Sequence, residues 1–171
     1  MTTLNEMAAV APLEVQTRSA DETRALAARL AQVARAGDRI ALVGPLGAGK
    51  TQFAKGFAVG LGVDAVVNSP SFTLMAEYEG RLPLFHQDLY RLVGAEEALA
   101  GGMLDERQDE GVTLTEWAER LPDEIDPRRL TVRFVLLGGD QRRLQLLPAA
   151  DDQERFLDAA RSWRSEQDGR P

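Results

Sequence analysis

One stretch, GPLGAGKT from Gly44 to Thr51, restricts what this chain can fold into more than any other. It satisfies the spacing G-x-x-x-x-G-K-[ST] at every fixed position. The apolar run DRIALVG leads into it, and TQFAKGFAVGLG leads out with Phe53, Phe57 and Leu61 at fourfold spacing. Strand, glycine loop and amphipathic helix make one supersecondary unit, built to hold phosphate. Gly44, Gly47 and Gly49 allow backbone turns closed to other residues, so that successive N–H groups face an anion. Lys50 reaches the β and γ phosphates, Thr51 offers its hydroxyl to Mg²⁺, and the helix adds the positive end of its dipole. The expected architecture is α/β, a P-loop NTPase with a central mostly parallel sheet flanked by helices and with antiparallel hairpins. Expected nucleotide contacts are Gly44, Leu46, Gly47, Ala48, Gly49, Lys50, Thr51 and Gln52. No N-K-x-D element is present, which favours ATP over a guanine nucleotide.

The remaining pattern fits a single domain over 13–164, with a flexible leader at 1–12 and a polar tail at 165–171. LEVQTRS alternates as a strand, and SADE (Ser19 to Glu22) reads as a capping box. The helix it opens places Leu26, Leu30 and Val33 on one face and stops near Gly37. FTLMAEYEG and RLPLFHQDLYRL form a hairpin pattern around Glu79-Gly80-Arg81, and GAEEALAGGML has the composition of a short helix. VTLTEW is a compact strand, RLTVRFVLL and RRLQLLP are strands across a GGDQ turn, and DDQERFLDAARSW is a closing helix.

With no Cys among 171 residues there is neither a disulfide framework nor a thiolate metal site. The opening residues lack the basic region of a secretory signal, and no apolar run approaches the ~20 residues that span a bilayer. A cytoplasmic protein without membrane contact is expected. The net charge of −7 argues against direct, strong nucleic-acid binding, since the Arg residues are scattered.

A phosphate loop needs an acidic group at the end of a neighbouring strand to hold Mg²⁺ or orient water. Glu116, at the end of VTLTEW, is the first candidate; a surface carboxylate opening the next segment is the alternative reading. Asp140 also follows an apolar run, but GGDQ reads better as a hairpin tip. Asp88, in HQDLYRL, either acts on Mg²⁺ or water or is simply a neighbour of His86 on one strand face. Ser69, Ser71 and Thr73 place hydroxyls in a loop after the phosphate-binding helix, where nucleotide switches sense the γ phosphate. From its residue type alone, Trp117 fits a core position better than a ligand contact.

GPLGAGKT, SPSFTLMAEYEG, HQDLYRL and LTEWAERLP, in that order, resemble the TsaE (YjeE) family of bacterial ATPases in tRNA threonylcarbamoyladenosine biosynthesis. The resemblance runs from roughly Ser19 to Leu147. It implies that Lys50 and Thr51 hold ATP and Mg²⁺, that Glu116 is a magnesium partner and that Asp88 serves hydrolysis. It also implies that Trp117 lies near the nucleotide and that the Ser-Pro-x-Phe-Thr loop behaves as a switch. The partners it implies are the transferase TsaD and its companion TsaB, with tRNA reached only through that complex and ATP hydrolysis resetting it between turnovers. Ser71 stands where the family usually has Thr, Gln87 where an apolar residue is common, and Pro45 where Asp is frequent. Two other functions fit a phosphate loop: a small-molecule kinase, and a nucleotide-dependent clamp with negligible hydrolysis. A kinase generally carries an Arg-bearing lid, and GAEEALAGGMLDERQDEG offers only Arg107.

Overall fold

The computed structural model describes residues 10–70, 73–92, 105–122 and 124–171. The expected short helix in GAEEALAGGML and most of the N-terminal leader lie outside these residues, as does Ser71. Among the described residues seven strands make one sheet: β1 (Leu13–Thr17), β2 (Arg39–Val43), β3 (Met75–Tyr78), β4 (Leu84–Asp88), β5 (Val112–Glu116), β6 (Leu130–Gly138) and β7 (Gln141–Leu147). Their spatial order is β1-β7-β6-β2-β5-β4-β3. The centre, β6-β2-β5-β4, is parallel, while β3 joins β4 and the β1-β7-β6 meander joins at the other side in antiparallel fashion. The phosphate loop therefore follows a strand with a parallel neighbour on each side.

Register decides which side chains share a face. Ile40 pairs with Leu114 and Leu130, Leu42 with Val132, and Val132 with Leu146. Side chains alternate along a strand, so these apolar residues point to one side, where three helices cover them. The helices are α1 (Ala20–Ala31), α2 (Lys50–Gly60) and α3 (Glu154–Asp168). Leu26, Leu30, Phe53, Phe57, Phe156 and Trp163 from these helices join the strand residues in one buried cluster. Phe53 stacks on Phe57 at 6.3 Å and meets Phe134 of β6 edge-on at 5.9 Å. That aromatic wedge seats the first turns of α2 on the sheet, with about 25 cal/mol of stabilisation per Å² of apolar surface removed from water. Opposite this face, Phe85, Gln87, Thr113 and Thr115 of β4 and β5 are also buried.

Three helix ends differ from the sequence reading. Ser19 caps α1 by accepting the Glu22 N–H at 3.1 Å, but Glu22 returns its carboxylate to the N–H of Arg18 at 2.6 Å, one residue earlier than a capping box requires. At its other end α1 stops at Ala31; tighter i−3 bonds from Gln32, Val33 and Ala34 carry the chain on towards Gly37, and Val33 turns half out. In α3 the expected polar tail stays helical to Asp168. Glu166 there accepts two bonds from Arg29 of α1, at 2.9 and 2.6 Å, so a polar residue gives the last turns a tertiary anchor. Among the described residues no helix is long and apolar enough to cross a membrane.

Candidate functional site

A cleft of about 510 Å³ opens at the C-terminal ends of β2, β4 and β5. Ligands of open α/β sheets bind at this end of the strands. Leu46, Gly47, Ala48, Gly49, Lys50, Thr51 and Gln52 line it, opposite Ser69, Asp88, Glu116 and Trp117. The loop can take this path because two glycines remove obstacles. A Cβ on Gly44 would stand 2.9 Å from Cβ of Phe134, and Gly49 caps α2 with a φ of +103° that a larger residue rarely adopts. Gly44 itself contributes through its carbonyl, which accepts a bond from the Lys50 ammonium.

Lys50 is 5% exposed, and its Nζ lies 3.2 Å from the centre of the Trp117 ring. Burial draws this ammonium below the ordinary lysine range, against the opposing pull of the Glu119, Glu116 and Asp88 carboxylates. A cation held in this way over an aromatic face is already partly stripped of water. Trp117 reaches this place because the chain leaves β5 in a left-handed turn, with φ of 57° and ψ of 39°. Its ring is half-buried in the cleft wall beside Tyr90, at 5.0 Å between centroids, and does not fill the main core as its residue type alone suggested.

Parallel pairing sets the two carboxylates side by side: Asp88 ends β4 directly opposite Glu116 at the end of β5. Both are buried, at 4% and 2% exposure, on the same sheet face as the phosphate loop. Thr51 donates its hydroxyl to Glu116 Oε1 at 2.8 Å, and His86 Nε2 meets Glu116 Oε2 at 2.6 Å, the ring N–H donating to the carboxylate. Glu116 is thereby held from both sides. Asp88 accepts the Ser69 hydroxyl on one oxygen and the Tyr90 N–H at 2.9 Å on the other. The Thr51 hydroxyl and Glu116 carboxylate are adjacent hard oxygens, a donor set that fits Mg²⁺, which takes few protein ligands and completes its shell with water and phosphate oxygens.

Not every candidate is gathered here. Thr73 is exposed, outside the cleft lining, with its hydroxyl 3.4 Å from the Met75 carbonyl. Asp140 lies in the β6–β7 turn, as GGDQ suggested. Gln87 is buried on the far face of the sheet, accepting the Thr115 hydroxyl at 3.0 Å, so its polarity is satisfied away from the cleft. Arg107 pairs with Glu77 at 2.9 Å, and the arginine lining the cleft is instead Arg91. Tyr90 and Arg91 were visible as part of HQDLYRL but carried no signal separating them from their neighbours. His86 was visible only as a neighbour of Asp88, and its grip on Glu116 depends on strand pairing.

The family model described as "Threonylcarbamoyl adenosine biosynthesis protein TsaE" matches residues 17–144. The chain belongs to the TsaE family. Within it, the Bacillus subtilis (strain 168) tRNA threonylcarbamoyladenosine biosynthesis protein TsaE is 42% identical over 133 residues, covering 77% of this chain and 83% of that protein. The protein of the same name from Treponema pallidum (strain Nichols) is 37% identical, covering 75% and 95% respectively. The solved structure of Bacillus subtilis YdiB superposes with a TM-score of 0.67 at 36% identity, over 94% of this chain and 98% of that one. The TsaE family is a nucleotide-binding, tRNA-processing family of P-loop fold, and the phosphate-loop cleft is the matching feature here.

Proposed function

We propose that this chain binds ATP with Mg²⁺ in the cleft and hydrolyses it, slowly alone and faster with partners, to reset a threonylcarbamoyl-transfer complex acting at position 37 of tRNA. The observation that carries the reading is the convergence of Lys50, Thr51, Asp88 and Glu116 on one cleft, with Asp88 and Glu116 opposite one another. Lys50 and the loop N–H groups bind the β and γ phosphates. Thr51 and Glu116 would hold Mg²⁺, which supplies charge neutralisation at the phosphate oxygens. Asp88, fixed by Ser69 and the Tyr90 N–H, orients the attacking water and takes up its proton. Trp117 and Tyr90 form one wall of the cleft.

The partners we infer are the transferase TsaD and its companion TsaB, with tRNA held by that complex. The acidic net charge of −7 accords with a subunit that leaves RNA to others in the cytoplasm. ATP hydrolysis by the purified chain, measured alone and then with TsaD, TsaB and tRNA, tests this. Stimulation by the complex supports it; tight ATP binding without stimulation sinks the resetting role and leaves a clamp. Lys50→Ala should abolish ATP binding by calorimetry. Asp88→Asn should keep ATP binding and a wild-type circular dichroism spectrum while turnover falls at least ~100-fold.

A further inference from the structure

In a loop whose N–H groups face an anion, the carbonyls of the same peptide units face away from it. Here that outer side is occupied. Arg142 of β7 donates Nε–H to the Ala48 carbonyl at 3.0 Å and a terminal N–H to the Gly47 carbonyl at 3.2 Å. Its other terminal nitrogen donates to the carbonyls of Gly139 and Gln141, at 2.7 and 2.8 Å, in and beside the β6–β7 turn. Among the described residues Arg142 makes no ion pair, so its charge is directed entirely at backbone oxygens.

We propose that Arg142 is a positioning residue for phosphate binding, acting on the loop from behind. The reasoning rests on the nucleotide reading of the cleft. The peptide joining Gly47 to Ala48 is held at both ends, its carbonyl by Arg142 and its N–H by the Pro45 carbonyl at 3.2 Å. That fixes the turn entering the cradle. In the next peptide the Ala48 carbonyl faces Arg142, so the Gly49 N–H, trans to it, faces the other way, where Gly49 lines the cleft. A guanidinium on the carbonyl also polarises the amide and strengthens the donor at its far end. The planar fork matters as much as the charge, because two carbonyls and the hairpin turn are held by one group. The β6–β7 hairpin, which contains none of the recognised motifs, thus sets the shape and polarity of the phosphate loop.

The test is calorimetric titration of Arg142→Ala and Arg142→Lys with ATP and with adenosine, which carries no phosphate. Loss of hydrogen bonds from a charged donor predicts a rise in the ATP Kd of about tenfold for Arg142→Ala. Adenosine affinity should change by less than about twofold, and Arg142→Lys should recover part of the loss, because an ammonium keeps the charge without the fork. In steady state the defect should appear in KM far more than in kcat. ATP affinity within about twofold of wild type in a folded Arg142→Ala overturns the proposal, as does equal loss for ATP and adenosine. Should Arg142→Ala fail to fold, unchanged ATP affinity in Arg142→Lys overturns it. Absence of ATP binding by the wild-type protein in the same titration overturns both this proposal and the nucleotide reading beneath it.

Discussion

Replacing His86 by leucine is the sharpest probe of how the carboxylate at the end of β5 is held. His86 is fully buried and Glu116 is 2% exposed, so water cannot replace the 2.6 Å bond between them. A hydrogen bond to a charged group contributes about 1.5–3 kcal/mol. Leucine fills a similar volume, and Glu116 keeps the Thr51 hydroxyl, so we take about 2 kcal/mol as the net cost. For a chain of this size each kcal/mol shifts Tm by about 2–4 °C, giving an expected fall of about 4–8 °C. The measurement is thermal and urea unfolding of His86→Leu, Glu116→Met and the double variant, without nucleotide and with a metal chelator so that ligand binding does not contribute. Each single change strands a buried polar partner; the double change strands neither. Their effects should therefore fall short of additivity by about 2 kcal/mol. Additivity to within about 0.5 kcal/mol would refute the reasoning, because residues that do not interact add to that precision.

Two further changes address the loop and the helix layer. Gly44→Ala should weaken ATP binding and lower stability by about 1–3 kcal/mol, since the new methyl meets Cβ of Phe134 at 2.9 Å; wild-type affinity and Tm together would show that the loop path has slack. The Glu166 carboxyl is held below the usual carboxylate range by its bond from Arg29, with the Arg29 charge adding to it. A depressed carboxylate contributes stability above its unfolded pKa, and that contribution disappears as pH falls through the folded value. The Tm difference between wild type and Glu166→Gln should accordingly be small and present at pH 7, and close as the pH drops through the carboxylate range. A difference that widens in acid would contradict this sign.

The phosphate loop was readable because its fixed positions lie in consecutive residues, where spacing and geometry are nearly the same information. Glu116 and Asp88 were readable as strand-terminal carboxylates, but that they face one another follows only from the β4–β5 register. His86 illustrates the limit. One residue of slip would turn its ring to the far face beside Thr115 and bring Gln87 round in its place, and nothing in HQDLYRL forbids that. Arg142 was less visible still: it stands in an ordinary strand whose place beside the loop depends on a hairpin closing 94 residues downstream of Ala48. Trp117 departs from what its residue type alone suggests: a bulky apolar side chain is usually core, whereas here a left-handed turn carries it out over Lys50. The extra turns of α3 came from a tertiary ion pair, invisible to a local reading of SEQDGRP.

The order of the strands also has a consequence in time. β2 comes early in the chain, yet both strands that flank it, β5 and β6, and the hairpin that braces its loop come from the later part. Closing such distant segments is slow compared with forming a helix or a hairpin. While the protein is being synthesised, GPLGAGKT emerges long before anything exists to hold it in shape. A nascent chain carrying the full motif is thus not yet a nucleotide site, and a fragment ending before β6 should never become one. The vulnerable interval for this protein is the span of translation between its most recognisable sequence and the strands that make that sequence work.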